Sequence, residues 1–208
     1  MRITVGALKG GACKTTTAAF LAIGLARTGR RVLAVDADPD QAQLSKWRDM
    51  AGSAWPSNVT LEVAESRDFR RLEDLAADHD HLVFDVGPKN RLRLRRALEI
   101  APTLVFPMEP SGMHLMEIAE TFEVAREVDS DDHPVSANVL LVRTRGSRHR
   151  LSIDTRSALV AQGYPVLTAQ TTNRDAYVTA VGTVPVDLLA YEDVLTELAA
   201  DNDEGTAR

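Results

Sequence analysis

Cysteine occurs once in this 208-residue chain, at Cys13. No disulfide can close within one copy, and neither a four-cysteine metal site nor an iron–sulfur cluster can be assembled from it. A reducing cytoplasm suits such a composition. Lysine is almost as scarce: Lys9, Lys14, Lys46 and Lys89 stand against twenty arginines. A GC-rich gene accounts for the arginine bias, yet two of the four lysines lie five residues apart. No apolar run approaches the roughly 18 residues of a membrane span. The N-terminus has no charged-then-apolar leader, because Arg2-Ile3-Thr4-Val5 runs straight into glycines.

What is present fits a globular domain. Hydrophobic residues make up 44% and charged residues 26%, which excludes disorder as the main state. The length suffices for one core. The net charge of −6 argues, as an average, against a nucleic-acid partner. The average hides contrasts. Residues 89–96 carry five basic side chains and no acid, and residues 143–150 carry four and no acid. Residues 117–132 hold seven acids against one arginine, and 192–204 hold six acids with no basic residue.

Short apolar runs recur along the chain: Ile3 to Val5, Val32 to Val35, Leu61 to Ala64, Leu82 to Phe84, Leu104 to Phe106, Val139 to Val142 and Pro165 to Thr168. They do not alternate with polar residues, which is how strands buried on both faces read. Helical spacing appears over 15–28, 112–128, 151–162 and 187–200, the first and third stopping at Gly29 and Gly163. Alternation of this kind predicts a single α/β domain over 1–200, with a mostly parallel twisted sheet and helices on both faces. Residues 201–208 are expected to fray.

The segment Leu8-Lys9-Gly10-Gly11-Ala12-Cys13-Lys14-Thr15-Thr16-Thr17 follows the first strand. A strand, a glycine loop, Lys-Thr and a helix form a phosphate-binding arrangement. Glycines let backbone N–H groups turn toward phosphate oxygens, and the helix start adds its positive dipole end. In that arrangement Lys14 reaches the β- and γ-phosphates and the Thr15 hydroxyl ligates Mg²⁺. Two usual glycines are missing, at Leu8 and Cys13. A positive φ at Cys13 would therefore carry strain. Loop amides and Lys14 would also lower the thiol pKa. Acids close two other strands, in Asp36-Ala37-Asp38-Pro39 and in His81-Leu82-Val83-Phe84-Asp85. The second has the Walker B form, in which a carboxylate holds Mg²⁺. Ligands of open α/β sheets bind outside that edge.

These motifs resemble the ParA/MinD family of deviant Walker ATPases, single-domain P-loop NTPases. Lys9-Gly10-Gly11, then Lys14-Thr15, match the deviant phosphate loop. Asp36-Ala37-Asp38-Pro39, Asp85-Val86-Gly87-Pro88 and Pro107-Met108-Glu109-Pro110-Ser111 match later segments, and Thr172-Asn173-Arg174-Asp175-Ala176-Tyr177 resembles the C-terminal region of small ParA proteins. The resemblance implies a homodimer that sandwiches ATP and Mg²⁺. Lys9 would cross to phosphates held by the other subunit, Asp38 would orient the attacking water, Asp36 would support the Mg²⁺ shell and Asp85 would hold the ion. The phosphate-loop residues Lys9, Gly10, Gly11, Ala12, Cys13, Lys14, Thr15 and Thr16 would bind nucleotide, with Pro185 and Val186 near adenine.

Within the family, one cysteine excludes the iron–sulfur reductases. The acidic 192–204 segment disfavours a membrane-binding C-terminal helix, since anionic lipid would repel it. The chain is similar to small, ParF-like partition ATPases. The resemblance then implies slow ATP hydrolysis, non-specific DNA binding, a ParB-like centromere-binding or adaptor protein, and a cytoplasmic, nucleoid-associated location. Arg143, Arg145, Arg148, Arg150 and Arg174 are the candidate DNA contacts, because arginine donates paired hydrogen bonds to phosphate. A dethiobiotin-synthetase-like metabolic enzyme and an ATP-binding module with little hydrolysis stay open as alternatives.

Overall fold

The computed structural model describes residues 1–8, 13–65, 68–110 and 115–205, with backbone alone for 115–117 and 202–205. Among them seven strands form one sheet: β1 (Arg2–Gly6), β2 (Val32–Ala37), β3 (Val59–Val63), β4 (His81–Val86), β5 (Thr103–Met108), β6 (Ser136–Thr144) and β7 (Val166–Thr172). Their order is β3-β2-β4-β1-β5-β6-β7, and every pairing is parallel. Each apolar run of the sequence falls on a strand and overhangs it by at most one residue, while the strands extend up to four residues further.

The helices are α1 (Lys14–Ala26), α2 (Gln43–Ala51), α3 (Phe69–Ala77), α4 (Arg91–Ile100), α5 (Leu115–Val128), α6 (Arg150–Ala161), α7 (Asp175–Thr179) and α8 (Ala190–Gly205). The helical stretches of the sequence correspond to α1, α5, α6 and α8. The other four, α2, α3, α4 and α7, are not singled out by that pattern. α8 runs on to Gly205, beyond the point where fraying is expected.

Burial follows the period-two geometry of strands. In β2, Val32 and Ala34 enter the cluster that holds α1 together with Tyr191, Val194 and Leu198 of α8. Leu33, Val35 and Ala37 enter the opposite cluster, with Phe69 and Leu72 of α3 and Leu94 and Leu98 of α4. Both faces are apolar, so no polar alternation shows in the sequence. A third cluster packs Phe106 and Leu141 against Ile118 and Phe122 of α5 and Leu159 of α6.

α1 lies under an aromatic group. Phe20 is 4.8 Å from the ring of Tyr191 and 5.5 Å from that of Tyr177, measured between centroids. The Thr17 and Tyr191 hydroxyls hydrogen-bond at 2.9 Å. Trp47 of α2 donates from Nε1 to the Thr183 carbonyl at 2.7 Å. α1, α2 and the C-terminal segment are therefore packed together.

β7 borders the sheet, and side chains cover part of it. The Glu197 carboxylate accepts from the Thr168 N–H at 2.6 Å and the Ala169 N–H at 3.0 Å. Arg156 donates to the Leu167 carbonyl at 2.5 Å and the Thr168 carbonyl at 3.3 Å.

At the edge where helices hand over to strands, the left-handed positions are glycines. Gly29, Gly52 and Gly163 have φ of 77°, 54° and 82°, and a Cβ added at any of them would meet nothing within 4 Å.

Candidate functional site

The carboxyl ends of β2, β4 and β1 lie side by side. Register pairs Asp36 with Asp85, and Val5 with Asp85. Above them opens a cavity of about 250 Å³, whose lining includes Cys13, Lys14, Thr15, Thr16, Asp38, Asp85, Gly87 and Arg143. The sequence motifs thus converge on one place. Lys9, Gly10, Gly11 and Ala12 lie outside the described residues.

Cys13 caps α1 in a left-handed conformation, φ 54° and ψ 27°, with no side-chain cap bond. A Cβ in that region costs roughly 1–2 kcal/mol, so the strain expected at this position is present. The thiol behaves otherwise than its loop suggested. Burial raises its pKa, and nearby Arg143 and Lys14 offset only part of that. Cys13 is not an activated thiolate.

Lys14 is only 8% exposed. Burial lowers its pKa, while Asp85 and Asp38 pull in the opposite direction. Thr15 Oγ1 donates to Asp85 Oδ2 at 2.6 Å and lies 3.5 Å from Gln43 Oε1. Asp85 is 2% exposed, and burial pushes its carboxyl up to about 7, against the opposing Thr15 bond. Hydroxyl and carboxylate oxygens at hydrogen-bond distance, short of compensating positive charge, form the hard donor set that suits Mg²⁺. Thr15 and Asp85 fit that ion.

Asp38 lines the cavity and packs on the chain leaving β4. A Cβ added at Gly87 would fall 2.5 Å from Asp38 Cγ and 2.7 Å from Oδ2. Glycine at 87 is therefore what lets the carboxylate sit there. Asp36 has a different placement from the one expected. It is fully buried, and its oxygens accept from the backbone N–H groups of Asp38 (3.1 Å) and Ser45 (2.9 Å). It caps the start of α2 and does not line the cavity. The correction has a simple cause: a strand-end acid satisfied by amides looks the same in sequence as one facing a metal.

A second cavity of about 140 Å³ adjoins the first. Thr171, Thr172, Asn173, Arg174, Tyr177 and Val178 line it, with Cys13, Thr16 and Arg143 common to both. This compartment is where a base would lie beside the phosphates. Pro185 and Val186 line a separate hollow with Thr179 and Val184, and Val186 is 95% exposed. Both residues therefore stand apart from the compartment at the end of β7 and α7. The rule that ligands gather at strand carboxyl ends is the signal that points there.

The two arginine stretches also separate. In 89–96, Asn90 caps α4 by accepting from the Arg93 N–H at 2.9 Å. Arg91 pairs with Glu123 and Glu127 of α5, and Arg95 and Arg96 pair with Glu99. At least three of its five cations are thus paired within the chain. In 143–150, Arg145, Arg148 and Arg150 are exposed, and Arg150 pairs with Asp154 at 3.4 Å. Arg143 is exposed as well but is also tied to the cavities. Its Nη1 lies 2.7 Å from Glu109 Oε1, a bond that raises its pKa, and it lines both cavities. Arg174 likewise faces the second cavity.

Among the described residues no helix is long and apolar enough to cross a membrane. Maintenance of carboxysome distribution protein A of Halothiobacillus neapolitanus is 28% identical over 181 residues, covering 86% of this chain and 82% of that protein. Protein ParA of Rhizobium radiobacter is 26% identical over 179 residues, covering 84% and 79%. The septum site-determining protein MinD of Pyrococcus horikoshii OT3, complexed with Mg-ADP, superposes with a TM-score of 0.71 at 20% identity, over 99% and 98% of the two chains. The family model described as the CobQ/CobB/MinD/ParA nucleotide binding domain matches residues 3–183. With that match over most of its length, and with the phosphate cavity in place, the chain belongs to this family, whose ParA/MinD members are Mg²⁺-dependent ATPases.

Proposed function

We propose that this chain is a ParA-type partition ATPase. ATP would pair two copies face to face, and the pair would bind duplex DNA through backbone phosphates, without reading sequence. Hydrolysis stimulated by a ParB-like adaptor on the cargo would then release the pair. Such a cycle places the protein on the nucleoid, in the cytoplasm.

The observation that carries the ATPase half is the Thr15–Asp85 hydrogen bond of 2.6 Å beside buried Lys14, with Asp38 seated on Gly87. Thr15 and Asp85 would hold Mg²⁺, which neutralises charge on the transferring phosphoryl group when bound. Lys14 would neutralise the β- and γ-phosphates, and Asp38 would orient the attacking water. Lys9 of the second copy would add a cation across the interface. The DNA half rests on the exposed, basic 143–150 segment, narrowed to Arg145, Arg148 and Arg150. Pairing doubles the phosphate contacts, which steepens both affinity and its salt dependence.

The test is duplex-DNA binding with ATP, with ADP and without nucleotide, at two salt concentrations. The expected result is binding with ATP alone, indifferent to sequence and weakened by salt. Arg145→Ala with Arg148→Ala lowers that binding and flattens the salt slope. Well-folded protein that binds no DNA in any nucleotide state overturns the partition reading and leaves the ATPase.

A further inference from the structure

Arg143 stands apart from the other arginines of its stretch. It lies inside β6, one residue before the strand ends, with φ of 51°. Its backbone N–H donates to Thr171 Oγ1 at 3.3 Å. Among the described residues it is the cation common to the phosphate cavity and the second cavity. A nucleotide with phosphates in one compartment and base in the other must run its α-phosphate and ribose past this junction. Glu109, just beyond β5, holds the guanidinium there at 2.7 Å.

Resting on the nucleotide reading above, we infer that Arg143 is a nucleotide-binding residue held in reserve by Glu109. The carboxylate and the bound nucleotide compete for the same guanidinium. A guanidinium forks onto a carboxylate or a phosphate with similar geometry, so exchange between them needs little rearrangement. The contact falls at the part of the nucleotide that ATP and ADP share. Lys14, by contrast, serves the terminal phosphates.

The experiment is calorimetric titration with ADP and with a non-hydrolysable ATP analogue, without DNA. Arg143→Ala weakens both nucleotides by about tenfold, to a similar degree. Arg143→Gln, which keeps more of the side chain, gives a similar loss if the alanine variant is unstable. Glu109→Gln tightens binding severalfold, because the guanidinium is set free. That gain disappears in the Glu109→Gln, Arg143→Ala double variant. Three results overturn the inference: an unchanged dissociation constant for both Arg143 variants; weakening by Glu109→Gln as well as by Arg143→Ala, which marks a structural pair; or a Glu109→Gln gain that persists without Arg143, which marks a simple charge effect. Wild-type protein that binds neither nucleotide overturns the nucleotide reading itself, which is a separate failure.

Discussion

The two edges of the sheet turn the chain with different residues. Where helices lead back into strands, the left-handed positions are Gly29, Gly52 and Gly163. Where strands end above the cavity, left-handed backbone falls mostly on other residues: Cys13, Ala42, Lys89 and Arg143, with φ between 46° and 58°, beside one glycine, Gly146, just past β6. One edge uses the residue that adopts this conformation without strain. The other retains strain, and it is the edge where charged groups are buried. Lys14, Asp36 and Asp85 are buried there. Strain and buried charge persist where the surrounding fold over-determines them, and binding sites are where such features collect.

Substitutions can break this contrast. The largest effect is expected at Lys14. Lys14→Ala removes the buried cation and weakens ATP binding about a hundredfold or more, as read by titration. Next comes Gly87→Ala, which tests close approach rather than backbone conformation. Its Cβ would displace the Asp38 carboxylate, so turnover falls by about tenfold or more while nucleotide binding is largely kept. An unchanged turnover would separate Asp38 from hydrolysis.

Asp85 gives a pH signature. Its folded pKa of about 7 lies above the ordinary 3.8, so the folded, nucleotide-free protein binds a proton more readily than the unfolded chain. This group's contribution to stability is complete below about pH 4 and is lost as pH rises through about 7. Asp85→Asn removes that dependence. At pH 8 the nucleotide-free variant melts above wild type, although it no longer hydrolyses ATP. A lower melting temperature would contradict the burial argument.

The smallest effects compare the edges directly. Cys13→Gly releases a strained position and stabilises by roughly 0.5–1 kcal/mol, with faster ATP turnover. Gly29→Ala imposes the same strain on the other edge and destabilises by a similar, roughly 1 kcal/mol. Denaturant titration of both variants reads the two signs. Equal signs would mean that the edges do not differ in the way described.

The strands were legible because two-sided burial demands unbroken apolar runs. β3 read weakest since it borders the sheet, and only Val59 in it is fully covered. α4 was hidden under its own arginines, although Leu94, Ala97 and Leu98 keep helical spacing and are buried. The gathering of Lys14, Thr15, Asp38 and Asp85 around one cavity was legible from order along the chain, since parallel topology brings successive strand ends together. The surroundings of Asp36, Arg143, Pro185 and Val186 could not be read, for a common reason. Sequence gives a residue's position along the chain, but not which neighbour satisfies it. Asp36 meets amides and Arg143 meets Glu109, both partners set by tertiary contact.

The covered edge at β7 has a consequence for crowding. An open edge strand offers a row of free N–H and C=O groups and templates sheet growth between molecules. Here Glu197 occupies two of those N–H groups and Arg156 two of the carbonyls. At high local concentration the part of the row from Leu167 to Ala169 is therefore not offered to a neighbouring copy. Contacts between copies are then steered away from strand addition along that part of the edge.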